Sequence, residues 1–156
     1  GLYALGTGLL YFSFVQILFG ALVAGIDAGQ AYNEWPLMGG QIIPPTAFDL
    51  QPVWRNFFEN EGMVQFVHRM TAYALFIFGV YVWWRSRRSG NARTKFAFNA
   101  VMAVLFLQML VGIMTVLYGA PWQIAIFHQL SAVVLFALIM WGRFLARYPR
   151  MQSVRS

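Results

Sequence analysis

Residues Met63–Phe76, MVQFVHRMTAYALF, carry a histidine and an arginine into a long run of apolar side chains. A helix needs about 20 predominantly apolar residues to cross a hydrocarbon core about 30 Å thick. A backbone in lipid must satisfy its own hydrogen bonds, so such segments form helices. We therefore predict an all-α membrane protein, a single four-helix transmembrane bundle over residues 1–156 with spans at about 5–26, 63–84, 96–118 and 122–142.

The composition excludes a soluble domain. Hydrophobic residues make up 60% of the 156 residues and charged residues only 10%, and the mean hydropathy is +0.59. A typical globular domain has about 25% charged residues. The chain contains no cysteine, so disulfides and thiolate metal sites are excluded as well.

The net charge of +6 is distributed unevenly along the chain. All five acidic residues lie in the loop at residues 27–62, between the first two spans. Basic residues retained in short loops mark the cytoplasmic side of a membrane. We therefore expect cytoplasmic termini, an outward-facing loop 27–62 and no nucleic-acid partner. The basic residues on the predicted inner side are Arg85, Arg87, Arg88, Arg93, Lys95, Arg143, Arg147, Arg150 and Arg155.

The first two spans and the last two resemble each other in sequence. QILFG at Gln16–Gly20 matches QMLVG at Gln108–Gly112, and HRMTAYALF from His68 matches HQLSAVVLF from His128. Two helices separate the copies, so both copies have the same orientation in the membrane. The pattern predicts two tandem helix pairs related by an axis along the membrane normal. Chance similarity among apolar helices is the alternative.

The predicted outer loop at residues 27–62 is rich in both turn-forming and aromatic residues. Polar linkers that stay flexible are poor in aromatic side chains, and tryptophan favours the membrane interface. We therefore expect this loop to fold over the outer mouth of the bundle, as a functional lid or as a plain interfacial cap. The side chains expected at the interface are Trp35, Trp54, Phe57 and Phe58.

The chain contains two histidines, His68 and His128, and each lies near the outer end of its predicted helix. At a rise of 1.5 Å per residue, they lie roughly 8 and 9 Å inside the outer ends of their spans. The repeat would therefore make the two imidazoles face each other at nearly equal depth. Ala72 and Ala132, one turn deeper, leave room beside them for a flat ligand.

The two histidines predict a haem site. Two imidazoles without cysteine or a local carboxylate leave zinc short of its usual four ligands. A haem brings four nitrogens of its own and needs only axial ligands, which histidine provides. We predict that His68 and His128 are the two axial ligands of one haem iron. The alternative is a pair of histidines that only form hydrogen bonds between helices.

Four further polar residues near the spans have predicted roles. Arg69 and Arg55 are candidate partners for haem propionates, since the Arg69 side chain is long enough to reach the outer surface. The alternative for Arg69 is an ion pair with Glu59 or Glu61. Gln16 and Gln108 each lie four residues before a glycine, a spacing that favours close helix packing. The list of cofactor-binding candidates is therefore His68, His128, Arg69 and Arg55.

Three stretches resemble a known family over essentially the whole chain. They are GALVAGIDAGQAYNEWPLMGG at Gly20–Gly40, RNFFENEGMVQFVHRM at Arg55–Met70 and IAIFHQLSA at Ile124–Ala132. They are similar to the C-terminal four-helix half of haem A synthase of the proteobacterial and mitochondrial type. That resemblance implies half of an eight-helix oxidoreductase, which converts the position-eight methyl group of haem O to a formyl group. The chain begins with Gly1, and we expect it to be a piece of a longer protein.

The resemblance also implies a division of labour within the enzyme. In that family the C-terminal histidine pair, matching His68 and His128, binds a haem b cofactor, and the N-terminal half receives haem O. The N-terminal half has a catalytic glutamate three residues before its first histidine, whereas this chain has Gln65. We therefore expect no activity from this chain alone, and its catalytic residues stay unassigned.

Expected partners of the chain are the lipid bilayer, the N-terminal half, haem O and haem O synthase. The expected location is a bacterial plasma membrane, in preference to the mitochondrial inner membrane. The alternative function is a bis-histidine cytochrome b subunit or the membrane anchor of a dehydrogenase. Composition and histidine spacing alone do not distinguish this function from half of a haem A synthase.

Overall fold

The computed structural model describes residues 1–149 and contains four long helices. These are α1 (Leu2–Gly25), α3 (Glu61–Ser86), α4 (Ala92–Leu117) and α5 (Trp122–Arg147), and α2 (Asn56–Glu59) is a single turn in the outer loop. Each long helix is long and apolar enough to cross a membrane. The all-α membrane fold predicted from the sequence is therefore confirmed.

The long helices begin or end up to five residues beyond the predicted spans, because polar residues at their ends continue the helix. Asn60 caps α3 by accepting a hydrogen bond from the Met63 N–H at 2.9 Å. Asn91 caps α4 in the same way, through the Thr94 N–H at 3.1 Å. Such caps satisfy backbone donors that have no partner within the first turn. The boundaries of a hydrophobic run therefore mark the lipid-buried part of each helix and not its full length.

The four long helices form a closed ring in which each packs against two neighbours. The contacts run from α1 to α3, from α3 to α4, from α4 to α5 and from α5 back to α1. Helices α3 and α5, which carry the two histidines, therefore lie diagonally opposite each other. The apolar core lies toward the half of this ring away from the loop at residues 27–62 and includes Leu9, Leu75, Val82, Phe98, Val101, Leu105, Leu135 and Ile139.

The helix ends opposite the long loop are joined by polar contacts to α1. The Arg143 guanidinium donates hydrogen bonds to the Thr7 hydroxyl at 2.8 Å and to the Tyr3 hydroxyl at 2.5 Å. It also lies 4.6 Å from the centroid of the Tyr3 ring. The predicted basic residues Arg150 and Arg155 lie outside the described residues.

The outer loop is folded by its own side chains. The Asn56 side chain donates to the carbonyls of Leu50 and Val53 and accepts from the Leu50 N–H at 2.9 Å. Asn60 donates to the Thr46 carbonyl at 2.6 Å. The aromatic side chains expected at the interface are exposed, namely Trp35, Trp54, Phe57 and Phe58.

Candidate haem-binding site

His68 lies on α3 and is held by two polar residues from α1 and α3. The Gln16 Nε2 atom on α1 lies 3.0 Å from His68 Nδ1 and donates to the His68 carbonyl at 2.9 Å. The Thr71 hydroxyl, one turn along α3, donates to Gln16 Oε1 at 2.5 Å. One carboxamide therefore contacts both the ring and the backbone of this histidine.

His128 on α5 has nearly the same surroundings, supplied by the second copy of the repeat. Gln108 Nε2 on α4 donates to the His128 carbonyl at 3.1 Å and to the Ser131 hydroxyl at 2.5 Å. The Ser131 hydroxyl donates to the Phe127 carbonyl at 2.6 Å. The matching residues of the two copies therefore occupy matching positions around the two histidines.

A glycine on the neighbouring helix makes room for each imidazole. A Cβ atom added to Gly20 would lie 3.2 Å from the His68 Cε1 atom. A Cβ atom added to Gly112 would also lie 3.2 Å from the His128 Cε1 atom. Any larger residue would therefore press on the ring. Each histidine therefore has a glutamine and a glycine from one neighbouring helix beside it. The first unit is Gln16, Gly20 and His68, and the second is Gln108, Gly112 and His128.

The two imidazoles share a depth in the bundle and lie on diagonal helices. At 1.5 Å per residue, His68 lies roughly 10 Å from the start of α3 and His128 roughly 9 Å from the start of α5. The two histidines therefore lie at a similar depth, each near the start of its own helix, at the end of the bundle that carries the loop at residues 27–62.

The donor set formed by the two histidines fits a haem better than a bare metal ion. Among the described residues, no group of three or more His, Asp or Glu side chains could hold a metal. Zinc sites use at least three protein ligands, whereas a haem iron needs one or two axial ligands. The buried Nδ1 atom of His128 has no hydrogen-bond partner within residues 1–149, so no protein contact at this nitrogen competes with a ligand.

Arg69, one residue after His68, ties the outer loop to α3. Its guanidinium donates to the carbonyls of Glu34 at 2.9 Å, Leu37 at 3.3 Å and Tyr32 at 3.0 Å. The side chain is 6% exposed, and its Nε atom is buried without a partner among the described residues. Arg69 therefore anchors the loop over the histidine pair and keeps one donor unused.

Gln65 completes the attachment of the loop. Its carboxamide donates to the Gly29 carbonyl at 3.3 Å and to the Tyr32 carbonyl at 3.2 Å, and it accepts from Arg69 at 3.0 Å. A carboxylate could accept from Arg69 but could not donate to the two carbonyls. Gln65 is therefore suited to hold the loop, which explains an amide at this position in structural terms.

Arg55 lies away from the histidines, in the outer loop. It forms an exposed ion pair with Glu59, whose nearest oxygen lies 2.5 Å from Arg55 Nη2. The hydrogen bond between them raises the pKa of Arg55 and lowers the pKa of Glu59 from their ordinary values. The alternative expected for Arg69, an ion pair with Glu59 or Glu61, is absent from the described part of the chain. Glu59 is paired with Arg55, and the Arg69 guanidinium donates to loop carbonyls instead.

Gln16 and Gln108 are the residues whose role the sequence indicated least well. They were expected to pack helices together, and they do bond across α1–α3 and α4–α5. Their position beside the histidines was not expected. The recurring Gln-x-x-x-Gly spacing, with one copy for each histidine, was the signal that could have indicated it.

Comparison with known proteins identifies the chain's relatives. Residues 1–140 match the family model described as cytochrome oxidase assembly protein. The chain is 60% identical over 154 residues to the heme A synthase of Ruegeria pomeroyi and 60% identical over 153 residues to that of Roseobacter denitrificans. It is 51% identical over 154 residues to the heme A synthase of Paracoccus denitrificans.

These alignments cover 98–99% of this chain and 40% of each relative. The chain therefore spans about two fifths of the length of the curated relatives that it matches. No solved structure matches it. The family model covers most of the chain and includes both histidines. The chain therefore belongs to the family of cytochrome oxidase assembly proteins.

Proposed function

We propose that this chain is the haem b-binding, C-terminal half of a haem A synthase, with His68 and His128 as the axial ligands of the iron. One observation carries the proposal: the unit of glutamine, glycine, histidine and hydroxyl side chain occurs twice, once around each histidine. A ligand held from both sides needs a fixed imidazole on each side, and the glycine beside each ring leaves that ring room on its neighbouring helix. The relatives named heme A synthase support the same function.

The chemistry supplied by a haem with two imidazole ligands is one-electron transfer, because both axial positions are filled. The residues of this chain hold the two imidazoles and limit access from outside. Arg69 and Gln65 keep the loop closed over the outer end of the site. The buried Nε donor of Arg69 has no partner within residues 1–149, and it would be the contact of this side chain to a propionate. Arg55 would have to exchange Glu59 for a propionate to take the same role.

The oxidation itself, from the methyl group to the formyl group of haem O, belongs in this proposal to the N-terminal half. Gln65 stands where the family's N-terminal half has its catalytic glutamate, and its carboxamide is occupied by two loop carbonyls. An amide cannot act as a general base near neutral pH. This chain therefore contributes electron transfer in a bacterial plasma membrane, with cytoplasmic termini, while substrate and haem O synthase meet the other half.

The experiment is expression of the 156-residue chain in cells that make haem O but lack haem A synthase. The chain alone should purify with haem b and should give no haem A in extracted haems separated by chromatography. Co-expression with the N-terminal half of a relative should restore haem A, and His68→Ala in this chain should abolish it again. A clear haem A peak from the chain alone would contradict the division of labour.

A further inference from the structure

An open groove lies among the helix ends opposite the loop at residues 27–62, far from the two histidines. Its volume is about 210 Å³. The start of α1, the end of α3, the start of α4 and the end of α5 bound it. One wall of this groove is polar and positively charged, and the other is apolar.

The polar wall is built by the end of α3 and the turn that follows it. The Arg88 N–H donates to the Arg85 carbonyl at 3.2 Å, and the Ser89 N–H donates to the Ser86 carbonyl at 2.9 Å, so the chain keeps winding past the end of the helix. Residues three and four positions apart share one side of such a turn. Arg85, Arg88 and Ser89 therefore line the groove together. The Ser89 hydroxyl accepts from the Asn91 N–H at 3.2 Å, which leaves its own proton to donate.

The charges of this wall have no acidic side chain near them. All five acidic residues lie in the loop at residues 27–62, and Glu61, at the start of α3, is roughly 36 Å from Arg85 along the helix. Arg85 is half-buried, and its guanidinium makes no hydrogen bond or ion pair with residues 1–149. Arg88 lies 4.6 Å from the centroid of the Trp84 ring, a contact that leaves its N–H donors free. The groove therefore offers two guanidinium groups to an anion from outside the chain.

The apolar wall comes from the start of α1 and the end of α5. It consists of Leu2, Leu145, Ala146 and Pro149. Thr94 on α4 lies between the walls, and its buried hydroxyl donates to the Leu145 carbonyl at 3.4 Å. The ends of membrane-spanning helices lie at the level of the lipid headgroups. A ligand that matches both walls at this level has an anionic group joined to an apolar chain.

We propose that this groove binds one anionic glycerophospholipid, with its phosphate held by Arg85 and Arg88 and hydrogen-bonded by Ser89. A guanidinium matches a phosphate through two parallel N–H···O bonds, and basic pockets between membrane helices bind anionic headgroups. The acyl chains lie against the apolar wall, so the lipid joins the ends of four helices. This site is independent of the proposed haem ligation, because His68 is roughly 25 Å from Arg85 along α3.

The matched variants Arg85→Met and Arg87→Met test the inference, because each removes one charge from the same helix end and only Arg85 lines the groove. Arg87 instead donates to Asn99 Oδ1 at 3.4 Å. The purified 156-residue chain in neutral detergent is titrated with phosphatidylglycerol, and native mass spectrometry measures the affinity for the first bound lipid. Arg85→Met and Arg88→Met should each weaken that affinity at least about fivefold. Arg87→Met should change it less than about twofold.

Arg85→Lys is the second variant, and it separates loss of charge from damage to the fold. It keeps a cation at the groove and should lose less affinity than Arg85→Met, because lysine binds phosphate as a point charge. Phosphatidylcholine, whose phosphate is balanced by choline, should bind more weakly than phosphatidylglycerol. A large excess of inorganic phosphate should not displace the bound lipid, because it has no chain for the apolar wall.

Equal losses for Arg85→Met and Arg87→Met would reveal diffuse attraction without a site and would overturn the inference. Equal losses for Arg85→Met and Arg85→Lys, or equal affinities for the two lipids, would overturn it as well. Displacement by inorganic phosphate would overturn the lipid as the source of the phosphate. The haem b spectrum of the same chain tests the proposed function separately, so either proposal can fail while the other stands.

Discussion

Replacing Gly20 by alanine should weaken haem binding without destabilising the helices. The new Cβ would lie 3.2 Å from His68 Cε1, whereas carbon atoms in ordinary contact lie about 3.5–4.0 Å apart. The imidazole would have to withdraw by roughly 0.3–0.8 Å, a range that brackets the about 0.5 Å tolerance of a preorganised site. Loss of support around a metal ligand typically costs about 10–100-fold in affinity.

The helix itself should gain from the same substitution. Alanine is favoured over glycine inside a helix by about 1 kcal/mol. Gly20→Ala should therefore keep or raise the melting temperature of the haem-free chain while its haem affinity falls at least about tenfold. This opposite response separates pressure on the ligand from general damage to the fold.

Haem titration followed by absorbance, together with thermal unfolding of the haem-free chain in detergent, measures both quantities. Gly25→Ala on the same helix is the control, because no atom lies within 4 Å of the added Cβ. It should leave haem affinity unchanged. Gly112→Ala should reproduce the Gly20→Ala result through His128, where the added Cβ also lies 3.2 Å from the ring. Unchanged haem affinity in both Gly20→Ala and Gly112→Ala would refute the steric reasoning.

Three further predictions concern the loop and the topology. Arg69→Met removes donors to three loop carbonyls, and each hydrogen bond to a charged group contributes about 1.5–3 kcal/mol. Hydrogen exchange in the loop should therefore accelerate at least about tenfold. Arg85→Met is the control and should leave that exchange unchanged. Cysteines introduced at Asn33 and Ser89 should be labelled from opposite sides of the membrane, and labelling from one side would contradict the topology. Because Arg55 lowers the pKa of Glu59, their ion pair should persist as the pH falls to the ordinary glutamate value of about 4.3 and break only below it. A Glu59 carboxyl resonance that titrates at or above that value would contradict this.

The sequence indicates the helices and the histidine pair because both depend on properties that repeat along the chain. Apolar length predicts a span, and His68 and His128 lie at the same place in two similar helices. The contacts that order the loop could not be predicted from the sequence, because they follow no repeating pattern along the chain. The side chain of Asn56 bonds to backbone atoms whose directions depend on the folded loop, and no periodicity predicts them.

Arg69 shows why a residue can be singled out correctly while its contacts stay unknown. Its charge at that depth predicts polar partners. Carboxylates and propionates were the partners considered, yet the guanidinium bonds to backbone carbonyls of the loop. A carbonyl is present at every residue, so the sequence cannot distinguish the ones that a long side chain will reach. The binding of a propionate by its remaining donor stays a prediction.

The central claim is that one haem is bound between His68 and His128, and the absorbance and electron paramagnetic resonance spectra of the purified chain with haem b test it most directly. The unchanged chain should show one low-spin haem with two imidazole ligands. His68→Ala and His128→Ala should each abolish that low-spin species, because either removes one axial ligand and no other histidine is present in the sequence. Met70→Leu, a change on the same helix, should leave the spectrum nearly unchanged. A normal bis-histidine spectrum in the variant that lacks His128 would contradict the assignment.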